Sequence, residues 1–479
     1  MNLRAHFSNN QFYYILFLCC LISRIVTSVY YIEDIDSLRF AYSIVLDYDI
    51  SKLQPHFPGY AVFCFLGNIL YFFTGNLGLV FSFIGSLSTF FIIYFSIKIL
   101  EYEIYSLESL FLTLLIMFNP LIWIMGNRYM PDLMGLALFG ALFYYLSKNN
   151  KKSIIIGGFL TGLLLGVRLS YFPLILLFSF QFIYKNQNRL NFIYSIIFGV
   201  IIWLFPMIWV TGLEKLFSLG WKHTLGHFTE YGGTIITENS LGQRLSYLFQ
   251  TIWADGLGGY WLDRSYFTLL LSILFIPLFY NLVLYIKELL INNEKIRNLL
   301  ICGFIYLIWI LLFQNIIYKS RHVLPLVLIL LIIFSITQKN FINKKNSHYI
   351  YLFSLITLLG FISTNLNIHH KNKTAIAQLS EYLTNKNKES ISIVSIPLIN
   401  YYLKSQNLKA NYHDINIQNK MIDLNNINRF TYIIGDFEQL VNNKYTISLD
   451  SSFYHNPYIN RMWSSINIYS LTKNSNEYR

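Results

Sequence analysis

The sequence predicts an all-α polytopic membrane domain followed by a small extracytoplasmic α/β domain. Of 479 residues, 55% are hydrophobic and only 13% are charged, and the mean hydropathy is +0.46. A soluble domain carries about a quarter charged residues, so too few polar side chains exist here to cover a water-facing surface. Apolar stretches of about 20 residues, enough to cross the ~30 Å hydrocarbon layer, recur through positions 1–366. Positions 367–479 instead alternate short helical and strand-like patterns. This excludes an ordinary cytosolic enzyme and a disordered chain, which would be poor in Ile, Leu and Phe.

The net charge of +12 is the sign of basic loops on the cytoplasmic side of a membrane, and no nucleic-acid partner is expected. Cys19, Cys20, Cys64 and Cys302 lie inside apolar stretches and form neither a disulfide framework nor a metal-type spacing.

Spans are expected at 11–30, 77–98, 106–126, 131–147, 153–168, 169–184, 191–210, 265–288, 298–317, 322–338 and 349–366. The first begins like a signal peptide, but no small-residue cleavage site follows, so it is read as a retained helix. Lys148, Lys151 and Lys152 share one short loop, Lys185 and Arg189 a second, Lys287, Lys295 and Arg297 a third, and Lys339, Lys344 and Lys345 a fourth. The positive-inside rule assigns these loops to the cytoplasm. The stretch 59–75 is short for a crossing and holds Gly59, Gly67 and Gly75; it is expected to be re-entrant or interfacial. About eleven crossings remain, with the amino terminus cytoplasmic and the carboxyl terminus outside the inner membrane. A long outer loop is expected at 211–264. In the tail, helices are expected at 375–386 and 398–405, and strands at 391–396, 431–434, 445–449 and 466–471.

The outer loop after the first span holds Glu33, Asp34, Asp36, Asp47 and Asp49 against Arg39 and Lys52. Carboxylates gathered at a helix exit suit a general base at the membrane surface, or simply a solvated helix end. Glu33 and Asp36 share a face if the helix continues. Leu38, Ala41, Tyr42 and Val45 follow at i, i+3, i+4 and i+7, which suits a helix lying flat on the outer leaflet. In Gln54-Pro55-His56-Phe57-Pro58-Gly59 two prolines stiffen the chain on either side of His56. Such a loop either preorganises a site or steers the chain back to the membrane.

An acidic motif at the end of the first helix, a flat helix, and a His-Pro-Pro-like segment together resemble the GT-C glycosyltransferases. The branch they are most similar to is that of the protein O-mannosyltransferases and bacterial lipid-A aminoarabinose transferases. The resemblance covers the first ~130 residues best. The family's Asp-Glu pair is here Asp36-Ser37, with Asp34 or Glu33 in reach as the second acid, and His56-Phe-Pro58 replaces His-Pro-Pro. The resemblance implies an inverting transferase at the outer face. It takes a sugar from a polyprenyl-phosphate donor in a membrane of lipids and places it on a lipid, glycan or protein acceptor. Asp36 is then the base, and His56 positions the loop or the donor.

Such a reaction must stabilise charge on the departing phosphate, through a divalent metal or through Arg and Lys side chains. Lys319-Ser-Arg321-His322-Val-Leu-Pro325 lies between two spans on the expected outer face, and the resemblance implies a phosphate site there. Headgroup snorkelling is the alternative. Arg128 and Arg168 are further candidates at span ends, Arg128 with Asp132 as an expected pair. Asp36 and Arg321 are expected to flank one cleft. Arg24 lies inside the first span and is expected to face other helices. His223 and His227 sit four apart without a third ligand, so no metal site is expected. Trp221, Trp253, Tyr260 and Trp261 read as interfacial anchors more than as sugar platforms. A transporter or flippase of lipid-linked glycans, or a glycan polymerase or ligase, is the rival reading.

Overall fold

The structure is a computed structural model. It describes residues 9–185, 187–237, 240–342, 346–386, 391–415, 431–437 and 445–473. Lys344 and Lys345 of the fourth basic loop lie outside the described residues. The chain folds into two compact units. One comprises Met1–Tyr30 and Arg39–Lys371, the other Tyr31–Leu38 and Asn372–Arg479. The acidic motif therefore groups with the tail, not with the helical unit to which its place in the sequence assigns it.

The helical unit runs α1 (Asn9–Val26), α2 (Ile35–Val45, begun in the second unit), α3 (Ala61–Thr74), α4 (Leu77–Leu100), α5 (Leu107–Met117), α6 (Pro120–Met125), α7 (Asp132–Leu146) and α8 (Lys151–Val167). It continues with α9 (Leu176–Lys185), α10 (Arg189–Thr211), α11 (Leu213–Thr229), α12 (Leu241–Gln250), α13 (Tyr266–Asn292), α14 (Glu294–Phe313), α15 (Leu324–Ile342) and α16 (Asn346–His370). Among the described residues, six helical segments are long and apolar enough to cross a membrane, as in an integral membrane protein.

Four expectations change here. First, α1 ends at Val26 and α2 starts at Ile35, so no continuous helix carries Glu33 and Asp36 on one face. Second, α2 covers most of the expected stripe: Leu38 and Ala41 are buried, Tyr42 is half-buried, and Val45 is the one of the four that is exposed. It packs on α3 instead, with Ser43 Oγ donating to Cys64 Sγ at 3.2 Å and Asn68 Nδ2 to the Ile44 carbonyl at 3.1 Å. Phe65, Phe72 and Phe73 of α3 are exposed. Third, the stretch 106–126 is two helices. Pro120 starts α6, and the Asn119 side chain caps it by accepting from the Ile122 amide at 3.0 Å. Arg24, fully buried, donates to the Met117 carbonyl at 3.2 Å and so satisfies an orphan acceptor at the end of α5. The expected loop 211–264 is also largely helical, through α11 and α12 and a π-helical turn Thr251–Gly256.

Helices α8 and α10 approach closely because glycines face each other. Gly158, Gly162 and Gly166 recur every fourth residue, the small-residue spacing that lets membrane helices touch backbone to backbone. A Cβ on Gly162 would lie 2.4 Å from the Ile196 carbonyl oxygen and 2.8 Å from the Gly199 Cα. Backbone cannot yield as a side chain can. Gly162→Ala is therefore expected to lower stability by about 1–3 kcal/mol, read as earlier thermal loss of the monodisperse elution peak. Gly140→Ala, whose nearest neighbour is 3.6 Å away, should leave it unchanged.

In the second unit α17 (Ala375–Lys386) and α18 (Pro397–Ser405) accompany strands β1 (Ile391–Ser395), β2 (Ala410–Asp414), β3 (Thr431–Ile434), β4 (Tyr445–Tyr454) and β5 (Ser465–Lys473). The sheet order is β2-β1-β3-β5-β4. Strand β1 pairs in parallel with β2 and β3, and β5 runs antiparallel to β3 and β4. Val394, Ile415, Ile433, Tyr469 and Leu471 form a core. The sequence missed β2, an edge strand with no fully buried residue and hence no hydrophobic alternation to read.

Candidate functional site

In the helical unit, residues far apart in sequence converge on one buried carboxylate. Asp132 stands at the first turn of α7 after Pro131 and is fully buried. Arg168 ends α8, where its extended backbone stops the helix before a 3₁₀ turn, Leu169–Ile175. Its Nη2 lies 2.9 Å from Asp132 Oδ1. Arg321 sits in the 3₁₀ turn Ser320–Val323 that leads into α15, and its Nε is 3.7 Å from Asp132 Oδ2. Both contacts are ion pairs and not aligned hydrogen bonds, and both guanidiniums are buried. Two cations thus gather on one anion, out of water, where charge interactions are strong.

Around this centre the polar groups are chained. Arg168 Nη2 is 3.4 Å from His322 Nδ1, which accepts because a guanidinium only donates. Arg168 Nη1 donates to the Tyr60 hydroxyl at 3.4 Å, and that hydroxyl lies 3.2 Å from His56 Nε2. Tyr60 accepts from Arg168 and so has its proton left for His56. Tyr306 donates to the His322 carbonyl at 3.0 Å and Tyr171 to the Asp132 carbonyl at 3.4 Å. His56 is held between two cis peptide bonds, Gln54–Pro55 and Phe57–Pro58. Gly59 follows at φ +94°, where a Cβ would meet the Tyr48 hydroxyl at 2.6 Å; only glycine fits there.

Of the residues singled out in the sequence, His56, Arg168, Arg321 and His322 come together. Lys319 is half-buried immediately before the Arg321 turn, and Arg128 is buried in the turn ahead of α7. Asp132, expected only as a mate for Arg128, is the hub for Arg168 and Arg321. Tyr60, Tyr171 and Tyr306 had no sequence signal among 37 tyrosines. Arg244 was also missed. Fully buried, it donates to the carbonyls of Leu311 (2.6 Å), Gly233 (2.8 Å) and Gln314 (2.9 Å), and thereby closes the end of α14 ahead of the Lys319–Arg321 segment. His223 lies with its ring 5.6 Å from that of His56. His227 Nε2 donates to the Phe313 carbonyl at 2.8 Å, and burial holds this imidazole below its ordinary pKa.

The acids divide by role. Asp49 caps the short turn Ile50–Lys52; the Ser51 hydroxyl and amide, with Lys52 nearby, hold its carboxyl below the usual range. In the second unit Glu33, Asp34 and Asp36 are all buried. Asp34 Oδ1 accepts from the Ser37 amide at 2.8 Å, the geometry of an N-cap for α2. Its Oδ2 accepts from Asn460 Nδ2 at 3.0 Å. The Asn460 carbonyl takes a bond from His455 Nε2 at 2.8 Å, and His455 Nδ1 accepts from the Ala375 amide at 3.0 Å. The Glu33 carbonyl accepts from Thr374 at 2.8 Å and that of Ile32 from Tyr402 at 2.6 Å. The tail is therefore the mount of the acidic motif. Asn460→Ala removes a donor to a buried carboxylate and should lower the tail's unfolding free energy by about 1–3 kcal/mol. Denaturant titration followed by circular dichroism reads this.

Among the described residues no three His, Cys, Asp or Glu side chains converge as metal ligands.

Solved structures of two GT-C glycosyltransferases share this fold. The chain is similar to ArnT, a lipid A aminoarabinose transferase, from Cupriavidus metallidurans solved with undecaprenyl phosphate. The TM-score is 0.55 at 7% identity, over 96% of this chain and 97% of that one. The same enzyme in its apo state gives 0.50 at 9% identity, over 97% and 98%. The Archaeoglobus fulgidus oligosaccharyltransferase, crystallised with zinc and sulfate, gives 0.53 at 12% identity, over 88% of this chain and 67% of that one. No protein-family model matches the sequence, and no curated protein sequence is similar to it.

Proposed function

We propose that the protein transfers a sugar from a polyprenyl-phosphate carrier to an acceptor at the extracytoplasmic face of the membrane. The observation that carries this reading is the pair of buried guanidiniums, Arg168 and Arg321, gathered on Asp132. The fold supports it, since a structure of that fold was solved with undecaprenyl phosphate. Guanidiniums offer planar forks of N–H donors suited to phosphate oxygens.

In the proposed step the acceptor hydroxyl oxygen attacks the anomeric carbon of the donor sugar from the side opposite the phosphate. The bond from that carbon to the phosphate oxygen breaks, and polyprenyl phosphate leaves with both electrons, so the anomeric configuration inverts. Asp36 takes the hydroxyl proton. Asp34 supports it as the helix cap, and Glu33 supplies the alternative carboxylate. Arg321, with Arg168 and Lys319, stabilises the charge on the departing phosphate, and Arg128 adds positive potential. His322 and His56 orient the donor through Arg168 and Tyr60.

Purified protein in nanodiscs, given a radiolabelled polyprenyl-phosphate sugar and a panel of membrane lipid, glycan and peptide acceptors, tests this. Labelled product, or slow hydrolysis of the donor without an acceptor, is expected. Movement of the intact donor between leaflets with no bond broken would mark a flippase instead.

A further inference from the structure

Helix α11 carries a surface that the site does not use. Leu213, Phe217, Trp221 and Leu225 are 67, 76, 63 and 46% exposed, and their spacing of four aligns them in one row. The row does not begin on α11. Ile201, Phe205 and Trp209, at the same spacing on α10, are 52, 63 and 81% exposed, and α10 is one of the span-length apolar helices. Only Gly212, at φ +81°, separates the two helices, so the apolar exterior of a membrane-spanning helix continues directly onto its successor.

The other sides of α11 differ. At about 100° per residue, Glu214, Ser218 and Lys222 form an adjacent exposed polar row. Leu216, Gly220, His223 and His227 form the inward row. Leu216 packs with Ile50 and Met207. Gly220 lies against Phe57, whose ring would be 2.9 Å from an added Cβ. His223 faces His56 and His227 bonds to Phe313. One side thus meets protein, one carries charge, and one is apolar with a span's lipid-facing surface leading into it.

We propose that α11 lies along the membrane–water interface with Leu213, Phe217, Trp221 and Leu225 immersed in lipid, and that this lipid contact holds its inward row against the His56 loop. The partner is the bilayer surface itself. An amphipathic helix with an aromatic-aliphatic face and a charged face takes this position for the burial of its apolar area, and Trp221 sits at headgroup depth. This lipid contact does not depend on the chemistry proposed above.

Site-directed spin labelling of the full chain in phospholipid nanodiscs tests it, with the exposed Cys19 replaced by serine. Single nitroxides at Phe217, Trp221 and Leu225 should collide with oxygen several-fold more, relative to a water-soluble nickel chelate, than those at Glu214, Ser218 and Lys222. Equal ratios at all six sites would overturn the proposal. So would a row shielded from both reagents, which would mean that a protein, such as a second copy, covers it. A measurement without introduced cysteines serves as a check. Brominated lipids should quench the fluorescence difference between the native chain and Trp221→Phe, and quenching by aqueous acrylamide alone would contradict the proposal.

Discussion

Asp36→Asn is expected to slow sugar transfer per folded molecule by about 10²–10⁴-fold, the contribution of a positioned base. The substitution keeps the shape of the side chain, and Asp34 still supplies the cap of α2. Asp34→Asn gives the complementary result. Asparagine retains an acceptor for the Ser37 amide, but its own amide now meets the donor Nδ2 of Asn460. Stability should fall and the rate per folded molecule should change far less. Initial rates with a labelled polyprenyl-phosphate sugar, normalised to folded protein, separate the two. Native turnover in Asp36→Asn would remove this residue from the chemistry.

The second large effect is on Asp132. Asp132→Asn leaves Arg168 and Arg321 buried without the carboxylate both contact. Removing one member of a buried ion pair costs about 3–5 kcal/mol, since the remaining charge has lost its water and its partner. Thermal unfolding in detergent should show this loss. Asp132→Asn combined with Arg168→Met should be less damaging than the sum of the single changes, because the second removes a charge the first has stranded. Additive losses would mean that the pair is not coupled.

Much of the architecture was legible because hydrophobic patterning reports burial directly. Helix α17 and strand β3 match the expected 375–386 and 431–434, since α17 buries one face and β3 is an apolar, largely buried run. Strand β2 was not legible, being an exposed edge, and α2 was misread because an apolar helical face looks the same whether its partner is lipid or, as here, α3. For the site, charges at span ends were visible as anomalies: Arg168, Arg321 and His322 stood out because a membrane domain has few charges to place, and His56 because prolines stand on either side of it. Their meeting point was not. Asp132 is one acid at a helix start, a position where acids are favoured by the helix dipole anyway. Nothing in sequence spacing says that Arg168, 36 residues on, and Arg321, 189 residues on, return to it. The Asn460–Asp34 bond joins residues 426 apart, and no local pattern encodes it.

The most direct test of the central claim, that the guanidiniums gathered on Asp132 hold the phosphate of a polyprenyl donor, is a binding measurement. Arg321→Met keeps the packing of the side chain and leaves Asp132 paired with Arg168. Native mass spectrometry of this variant and the native chain, each titrated with polyprenyl phosphate and with the neutral polyprenol, reads the phosphate contribution alone. Binding of the phosphate should weaken by about 10–100-fold, the value of a charge-assisted hydrogen bond, and binding of the alcohol should stay unchanged. Equal affinity of both proteins for the phosphate would contradict the claim.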